Sequence, residues 1–212
     1  MKLLELFSGT HVLSDAFRER GWETCTVDWD ESVEADYHVD IGNLTVDDVI
    51  GMCGGIPDVI WASPDCTSYS IAAISHHRTN IDGWLAPRSE YAKTCDRVNE
   101  NVVLLMHECL KRGTRYVFIE NPRGGMRKMP FVQSFPRYTV TYCQYGDSRM
   151  KPTDLWTNHP DPQFRPPCHN GDSCHERAPR GSKTGTQGLK GAAERARIPK
   201  GLCEHIAEIC ER

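Results

Sequence analysis

The residues best placed to do chemistry lie in Pro57 to Ser70, where an apolar run, Val59 to Ala62, leads into Ser63-Pro64-Asp65-Cys66-Thr67-Ser68-Tyr69-Ser70. A β-branched and aromatic run bounded by Pro57 and Pro64 predicts a buried strand of a parallel sheet. In open α/β sheets the loops beyond the carboxyl ends of the strands hold ligands and carry chemistry, so Cys66 is a candidate nucleophile. A free cysteine is ordinarily a small buried apolar residue, and ten cysteines make any one of them ordinary. The turn-prone neighbours Pro64, Asp65, Thr67, Ser68 and Ser70 favour an exposed loop instead. To react at neutral pH a thiol with an intrinsic pKa of about 8.5 needs a positive or amide-rich surround. Asp65 works against this if it faces the sulfur, and is expected to point away. A second polar group follows the apolar run Tyr116 to Ile119, where Glu120-Asn121 again sets a carboxylate at a strand's carboxyl end.

Two Cys-His dipeptides, Cys168-His169 and Cys174-His175, form a candidate zinc site. Zinc needs four ligands, and the spacing leaves Cys203 or Cys143 as further candidates. His76-His77 is a poorer metal pair, because adjacent residues of an extended loop point to opposite sides; a solvated or substrate-touching pair fits better.

The elements that position these groups read as alternating strands and helices. Residues 3–7 predict a strand, Ser8-Gly9-Thr10 a turn, and Val12, Leu13, Ala16 and Phe17 a helix stopped at Gly21. Strand, glycine turn and helix open a nucleotide-binding βαβ unit, whose turn amides and helix N-terminus meet a polar ligand. Only Gly9 stands where the dinucleotide fingerprint has three glycines. The strand from Glu23 to Val27 ends in Asp28-Trp29-Asp30, which puts Asp28 where such folds bind ribose and Trp29 where it can stack on a purine or simply pack. Residues 37–41 make a short segment with Asp40 at its edge, and residues 46–52 a short helix. Residues 71–85 are polar enough to predict a long loop of the kind that serves as a lid. Residues 87–112 carry the longest helical pattern, residues 139–143 a strand, residues 144–151 a polar turn, and residues 154–157 a hairpin partner.

At 212 residues, 39% hydrophobic and 25% charged, the chain fits one soluble domain with a small appendage. Its start is broken by Glu5 and does not read as a signal peptide, and no apolar stretch is long enough for a membrane span, so a cytoplasmic protein is expected. Cys25, Cys109, Cys143 and Cys210 lie singly inside apolar patterns, as reduced buried thiols do. A net charge of -4 requires any nucleic-acid contact to come from a local patch. Residues 160–199 are rich in proline, glycine and charge, and residues 177–200 supply such a patch, with Arg177, Arg180, Lys183, Lys190, Arg195, Arg197 and Lys200 against the single acid Glu194; a solvated tail is the alternative. Leu202, Ile206 and Ile209 mark a closing helix.

Taken together and in this order, the motifs resemble those of the DNA cytosine-C5 methyltransferases, most closely the short phage-encoded branch. Phe7-Ser8-Gly9-Thr10 is similar to the first cofactor motif with its second glycine missing, Asp28-Trp29 to the pair that holds ribose and adenine, and Asp40-Ile41 to the pair facing the adenine amino group. Ser63 to Ser70 resembles the nucleophile loop, with Asp65 in place of a proline and Thr67 in place of a glutamine. Glu120-Asn121-Pro122 resembles the Glu-Asn-Val motif, and Tyr145-Gly146 with Arg149 and Lys151 an altered Gln-x-Arg-x-Arg segment.

The resemblance implies a Rossmann-like α/β fold that uses S-adenosylmethionine, with a small irregular C-terminal region in place of a full target-recognition domain. Residues 1–158 would be catalytic, 159–197 a minimal recognition segment, and 198–212 a helix packed back on the first unit. Cys66 would attack cytosine, Glu120 would protonate N3, and Arg149 and Lys151 would hold the pyrimidine O2 or a flanking phosphate. Phe7, Ser8, Gly9, Thr10, Asp28, Trp29, Asp40, Ile41, Ser63 and Pro64 would bind the cofactor. DNA would be the partner, met by His76, His77, Arg123, Arg127, Lys128, Arg177, Arg180 and Lys183, with no membrane or protein partner implied; a phage enzyme would work in the host-cell cytoplasm. One rival is an enzyme with an RNA target or a modified cofactor donor; the departures at Asp65 and Thr67 leave open another, a cofactor-binding, nucleic-acid-binding protein without turnover.

Overall fold

The central strands bury both faces, and their side chains alternate between two cores as the pleat requires. The computed structural model of the chain describes residues 1–176 and 191–212. Its strands are β1 (Lys2–Leu6), β2 (Glu23–Asp28), β3 (Tyr37–His38), β4 (Val59–Ala62), β5 (Arg78–Ile81), β6 (Trp84–Pro87), β7 (Tyr116–Pro122), β8 (Arg137–Thr141) and β9 (Pro152–Thr157). The helices are α1 (Val12–Arg18), α2 (Val46–Cys53), α3 (Ile74–His77), α4 (Glu90–Arg112), α5 (Ala192–Ala196) and α6 (Lys200–Cys210). Leu4, Leu6, Ile60, Ala62, Val117 and Ile119 face one core with Val49 of α2 and Val102, Met106 and Cys109 of α4. Leu3, Val59, Trp61 and Phe118 face the other, with Leu13 and Phe17 of α1 and Leu202, Ile206 and Ile209 of α6. Glu5 is buried on this second side, where Ser14 donates to it from both its amide and its hydroxyl. Burial dominates its titration and pushes it up to about 7.

Seven strands form one sheet in the order β3-β2-β1-β4-β7-β9-β8. The five from β3 to β7 run parallel, and β9 is antiparallel to both β7 and β8. The chain leaves β1 toward β2 and leaves β4 toward β7, so the strand order reverses between β1 and β4, where ligand crevices open in doubly wound sheets. This is the α/β architecture of an S-adenosylmethionine-dependent methyltransferase.

Two stretches differ from the sequence expectation. Residues 71–85 are not an irregular lid: α3 is followed by an antiparallel β5–β6 hairpin in which Ile81 pairs with Trp84 across Asp82-Gly83. Both turn residues have positive φ, 50° and 91°, and Asp-Gly suits that two-residue turn. The signal was present but masked by the polar residues around it. Helix α4 starts at Glu90 rather than Pro87, because Pro87 still pairs with Arg78 and Ser89 is the N-cap that accepts from the Ala92 amide at 3.1 Å. Residues 159–176 contain no helix or strand and are held by side chains; the Arg165 amide donates to Tyr145 and the Cys168 amide to Thr141. No helix among the described residues is long and apolar enough to cross a membrane.

Candidate active site

Strand direction gathers the candidate residues at one edge of the sheet. Ala62 is in register with Ile119, so the chain leaving β4 toward Cys66 runs beside Glu120 and Asn121. Because β9 runs the other way, its first residues meet the last of β7, with Thr153 opposite Pro122, and Lys151 arrives at the same edge. Tyr142 comes there directly after β8.

Glu120 and Asn121 are neighbours on β7 and point to opposite faces. Buried Glu120 accepts from the Tyr142 hydroxyl at 2.9 Å. Buried Asn121 donates to the Pro64 carbonyl at 2.9 Å and so ties down the loop that bears Cys66. Burial raises the Glu120 carboxyl above the usual carboxylate range, against the opposing pull of Lys151 and of hydrogen bonds from Tyr142 and Ser63. Cys66 is half-buried; burial raises its thiol first, the charges of Glu120 and Asp65 raise it further, and Lys151 opposes them. Burial also lowers the Lys151 ammonium, while Glu120 and Cys66 pull it up. A thiol, a carboxyl and an ammonium thus set one another's proton affinity. Asp65 turns back on its own loop, accepting from the Thr67 amide at 2.5 Å, yet its charge still reaches the sulfur.

The anchor of the Cys66 loop was missed in the sequence. Arg78 at the start of β5 is fully buried. Its guanidinium donates to the Ser68 carbonyl at 2.8 Å, to Asp96 on α4 at 2.6 and 3.0 Å, and lies 4.2 Å from the Tyr69 ring centroid. Tyr69 in turn donates to Asp96 at 2.7 Å. Gly124 passes beneath the same loop, where a Cβ would lie 2.6 Å from the Tyr69 carbonyl oxygen. Breaking a buried ion pair leaves an uncompensated charge, so Arg78→Ala is expected to cost about 3–5 kcal/mol. Equilibrium denaturation checks this; a loss below about 1 kcal/mol would show that the fork carries no such load.

A cavity of about 490 Å³ opens at the reversal of strand order, lined by Phe7, Trp29, Asp40, Ile41, Pro64, Asp65 and residues of α4 including Tyr91, Arg97 and Asn99. Trp29 is 68% exposed, so this indole is available for stacking. The Asp28 carboxylate accepts from the Gly9 amide at 3.2 Å and Asp40 from the Gly42 amide at 2.9 Å, which fixes both strand-end carboxylates. Arg97, also unforeseen, lies 3.7 Å from Asp40. Phe7, Gly9 and His11 all have positive φ, 59°, 49° and 57°. For two non-glycine residues this is strain of the kind that collects at ligand-binding loops. The buried Ser8 Oγ and Asn121 Oδ1 have no hydrogen-bond partner among the described residues. An apolar slot lined by Phe7, Trp29 and the fixed carboxylate of Asp40, with Asp28 and the orphaned Ser8 oxygen on the residues next in the chain to Trp29 and Phe7, fits a nucleoside-bearing cofactor such as S-adenosylmethionine.

Several candidates stand elsewhere. Arg149 is not free to meet a ligand: it forks onto Asp147 two residues away and donates to the carbonyls of Glu194, Arg195 and Arg197. That leaves Lys151, which also donates to the Arg195 carbonyl at 3.0 Å, as the cation beside Cys66 and Glu120. Arg127 is held by buried Asp154 at 2.7 Å. His77 is within 2.9 Å of Ser89 and packs against Tyr91, whereas His76, Arg123 and Lys128 are exposed. Arg177, Arg180, Lys183 and Lys190 lie outside the described residues. His169 points away from the Cys-His cluster toward Asp172, and Cys203 is buried in the α6 core; Cys143, Cys168, Cys174 and His175 come together instead.

No family model matches the chain. Among curated proteins it is 30% identical over 234 residues to the "Probable DNA (cytosine-5)-methyltransferase" of Frog virus 3 (isolate Goorha), covering 99% of this chain and all of the relative. Among solved structures, Entamoeba histolytica methyltransferase EhMeth superposes with a TM-score of 0.49 at 14% identity over 73% of this chain. Spodoptera frugiperda DNMT2 does so with a TM-score of 0.46 at 16% identity over 73% of it. The chain spans about half the length of these two proteins, 52% and 49%. Strand order and direction, rather than these likenesses, define its fold. By its near full-length match to the curated relative, the chain belongs to the DNA cytosine-5 methyltransferase family.

Proposed function

We propose that this protein transfers a methyl group from S-adenosylmethionine to carbon-5 of cytosine in DNA. The observation that carries the reading is the convergence of Cys66, Glu120 and Lys151 at one sheet edge, next to the cavity at the strand-order reversal. Phe7, Ser8, Asp28, Trp29, Asp40, Ile41 and Pro64 would hold the cofactor, which when bound supplies an electrophilic methyl group.

Carbon-5 of cytosine is too weak a nucleophile to take that methyl unaided. The Cys66 thiolate adds to C6, forming an S–C bond, while Glu120 delivers its proton to N3. The resulting enamine is nucleophilic at C5, where the cofactor held at Trp29, Asp40 and Ile41 would supply the methyl group. Loss of the C5 proton to a base then breaks the S–C6 bond and expels Cys66 as thiolate, while N3 returns its proton to Glu120, which restores the ring. Lys151 stabilises negative charge on this pair, and exchanging its bond to the Arg195 carbonyl for the pyrimidine O2 would hold the base. A base inside a duplex must first be flipped out at a cost of a few kcal/mol. Ile71, Ile81 and Trp84, all exposed on the segment that follows Cys66, offer apolar surface to fill the gap.

The test is transfer of labelled methyl from S-adenosylmethionine to cytosine-containing duplex DNA, with matched RNA alongside. Label on C5 of DNA cytosine is the expected result. Cofactor binding without label on either polymer would overturn it, and label on RNA alone would move the substrate.

A further inference from the structure

We propose that Cys143, Cys168, Cys174 and His175 bind one zinc ion, which fastens the irregular segment after β9 to the end of β8. The four ligand atoms all lie within 4.8 Å of one another. Individual separations are 3.8 Å for Cys143 Sγ to Cys174 Sγ, 3.7 Å for Cys168 Sγ to His175 Nδ1 and 3.6 Å for Cys174 Sγ to His175 Nδ1. A tetrahedral zinc with bonds of about 2.3 Å to sulfur and about 2.0–2.1 Å to nitrogen requires S···S edges of about 3.8 Å and S···N edges of about 3.6 Å. Three of the distances meet that requirement. The fourth, Cys143 Sγ to Cys168 Sγ at 3.0 Å, has to open slightly to admit the ion.

The surroundings suit a closed structural site. Cys143 and Cys168 are buried, His175 half-buried and Cys174 exposed, which leaves one flank for metal entry. The Cys168 backbone is fixed by its amide bond to Thr141 at 2.9 Å, and the Gln144 amide donates to Cys174 Sγ at 3.4 Å, a supporting contact that favours a thiolate. Three ligands, Cys168, Cys174 and His175, sit on a stretch with no helix or strand, where chain order needs a staple. Cys143 precedes the other three ligands by 25 or more residues, so the ion closes a long loop. Cys143 follows Tyr142, the hydrogen-bond donor to Glu120, and His175 precedes the basic residues that begin at Arg177. The ion therefore moors residues 168–175 to the catalytic edge. On binding, the three thiols lose their protons to solvent, and no redox change is involved.

The whole chain, purified under reducing conditions with zinc present, is expected to hold one zinc per chain by elemental analysis. Cys174→Ser and His175→Ala should lose most of it, while His169→Ala and Cys53→Ser keep it. Cobalt loaded into the metal-free wild type should give the intense visible bands of a tetrahedral, thiolate-bound ion, a readout that does not depend on variants folding. Absence of zinc and of those bands, equal zinc in Cys174→Ser, or a Cys143–Cys168 disulfide that takes up no metal after reduction would overturn the assignment. Metal content is read without turnover, so this result stands apart from the outcome of the methyl-transfer test.

Discussion

Cys66→Ala is expected to lose methyl transfer by roughly 10⁴-fold or more, the scale seen when a covalent nucleophile is removed. Without the thiolate, C5 is never activated, and no other group at this edge can replace it: Lys151 is a cation, and Glu120 is needed as the acid. Cys66 does not line the cofactor cavity, so cofactor affinity should change by less than about twofold. The thiol is half-buried, and its loss should cost about 1 kcal/mol of stability or less. A 5-fluorocytosine oligonucleotide separates chemistry from folding, because the wild type should form a denaturation-resistant adduct once methylation blocks release, and Cys66→Ala should form none. Retention of a tenth of the activity, or an adduct at another cysteine, would remove Cys66 from the mechanism.

How much of this site could be read in the sequence follows from how each contact is encoded. Strand ends were legible, because an apolar run stopped by a polar or turn residue marks both the strand and its mouth: Val59 to Ala62 was located to the residue, and Glu120 fell within β7 as its apolar run ended. The parallel register then brings such ends together without further information. Side-chain pairings across the fold were not legible. Arg78 with Asp96 joins a hairpin to a helix 18 residues on, and no local pattern reports it. Arg149 is expected at the ligand because its segment resembles Gln-x-Arg-x-Arg, although Asp147 two residues earlier is a local cue to its partner. The zinc ligand His175 was in view but Cys143 was only one of two possible additions, since its role depends on β8 and β9 folding it back over residues 168–175.

Glu120→Gln is expected to lower kcat by about 10²–10⁴-fold, the usual contribution of a positioned general acid. The change keeps an acceptor for Tyr142 and removes only the proton and the charge. Glu120's charge raises the Cys66 thiol, so the variant should ionise Cys66 at lower pH; the pH dependence of its alkylation rate measures this. Stability should move the opposite way from activity. The folded carboxyl is raised above its unfolded value by burial, so its contribution is fully present below the unfolded pKa and is lost as pH rises through the folded one. Gln removes that loss, and the melting temperature of the variant relative to wild type should therefore rise as pH increases above the ordinary carboxylate range. A buried acid whose proton affinity is raised for chemistry destabilises the fold once it ionises. If Glu120→Gln leaves both the Cys66 ionisation and the pH trend of stability unchanged, Glu120 is a structural acceptor for Tyr142, and the proton delivered to N3 comes from another group.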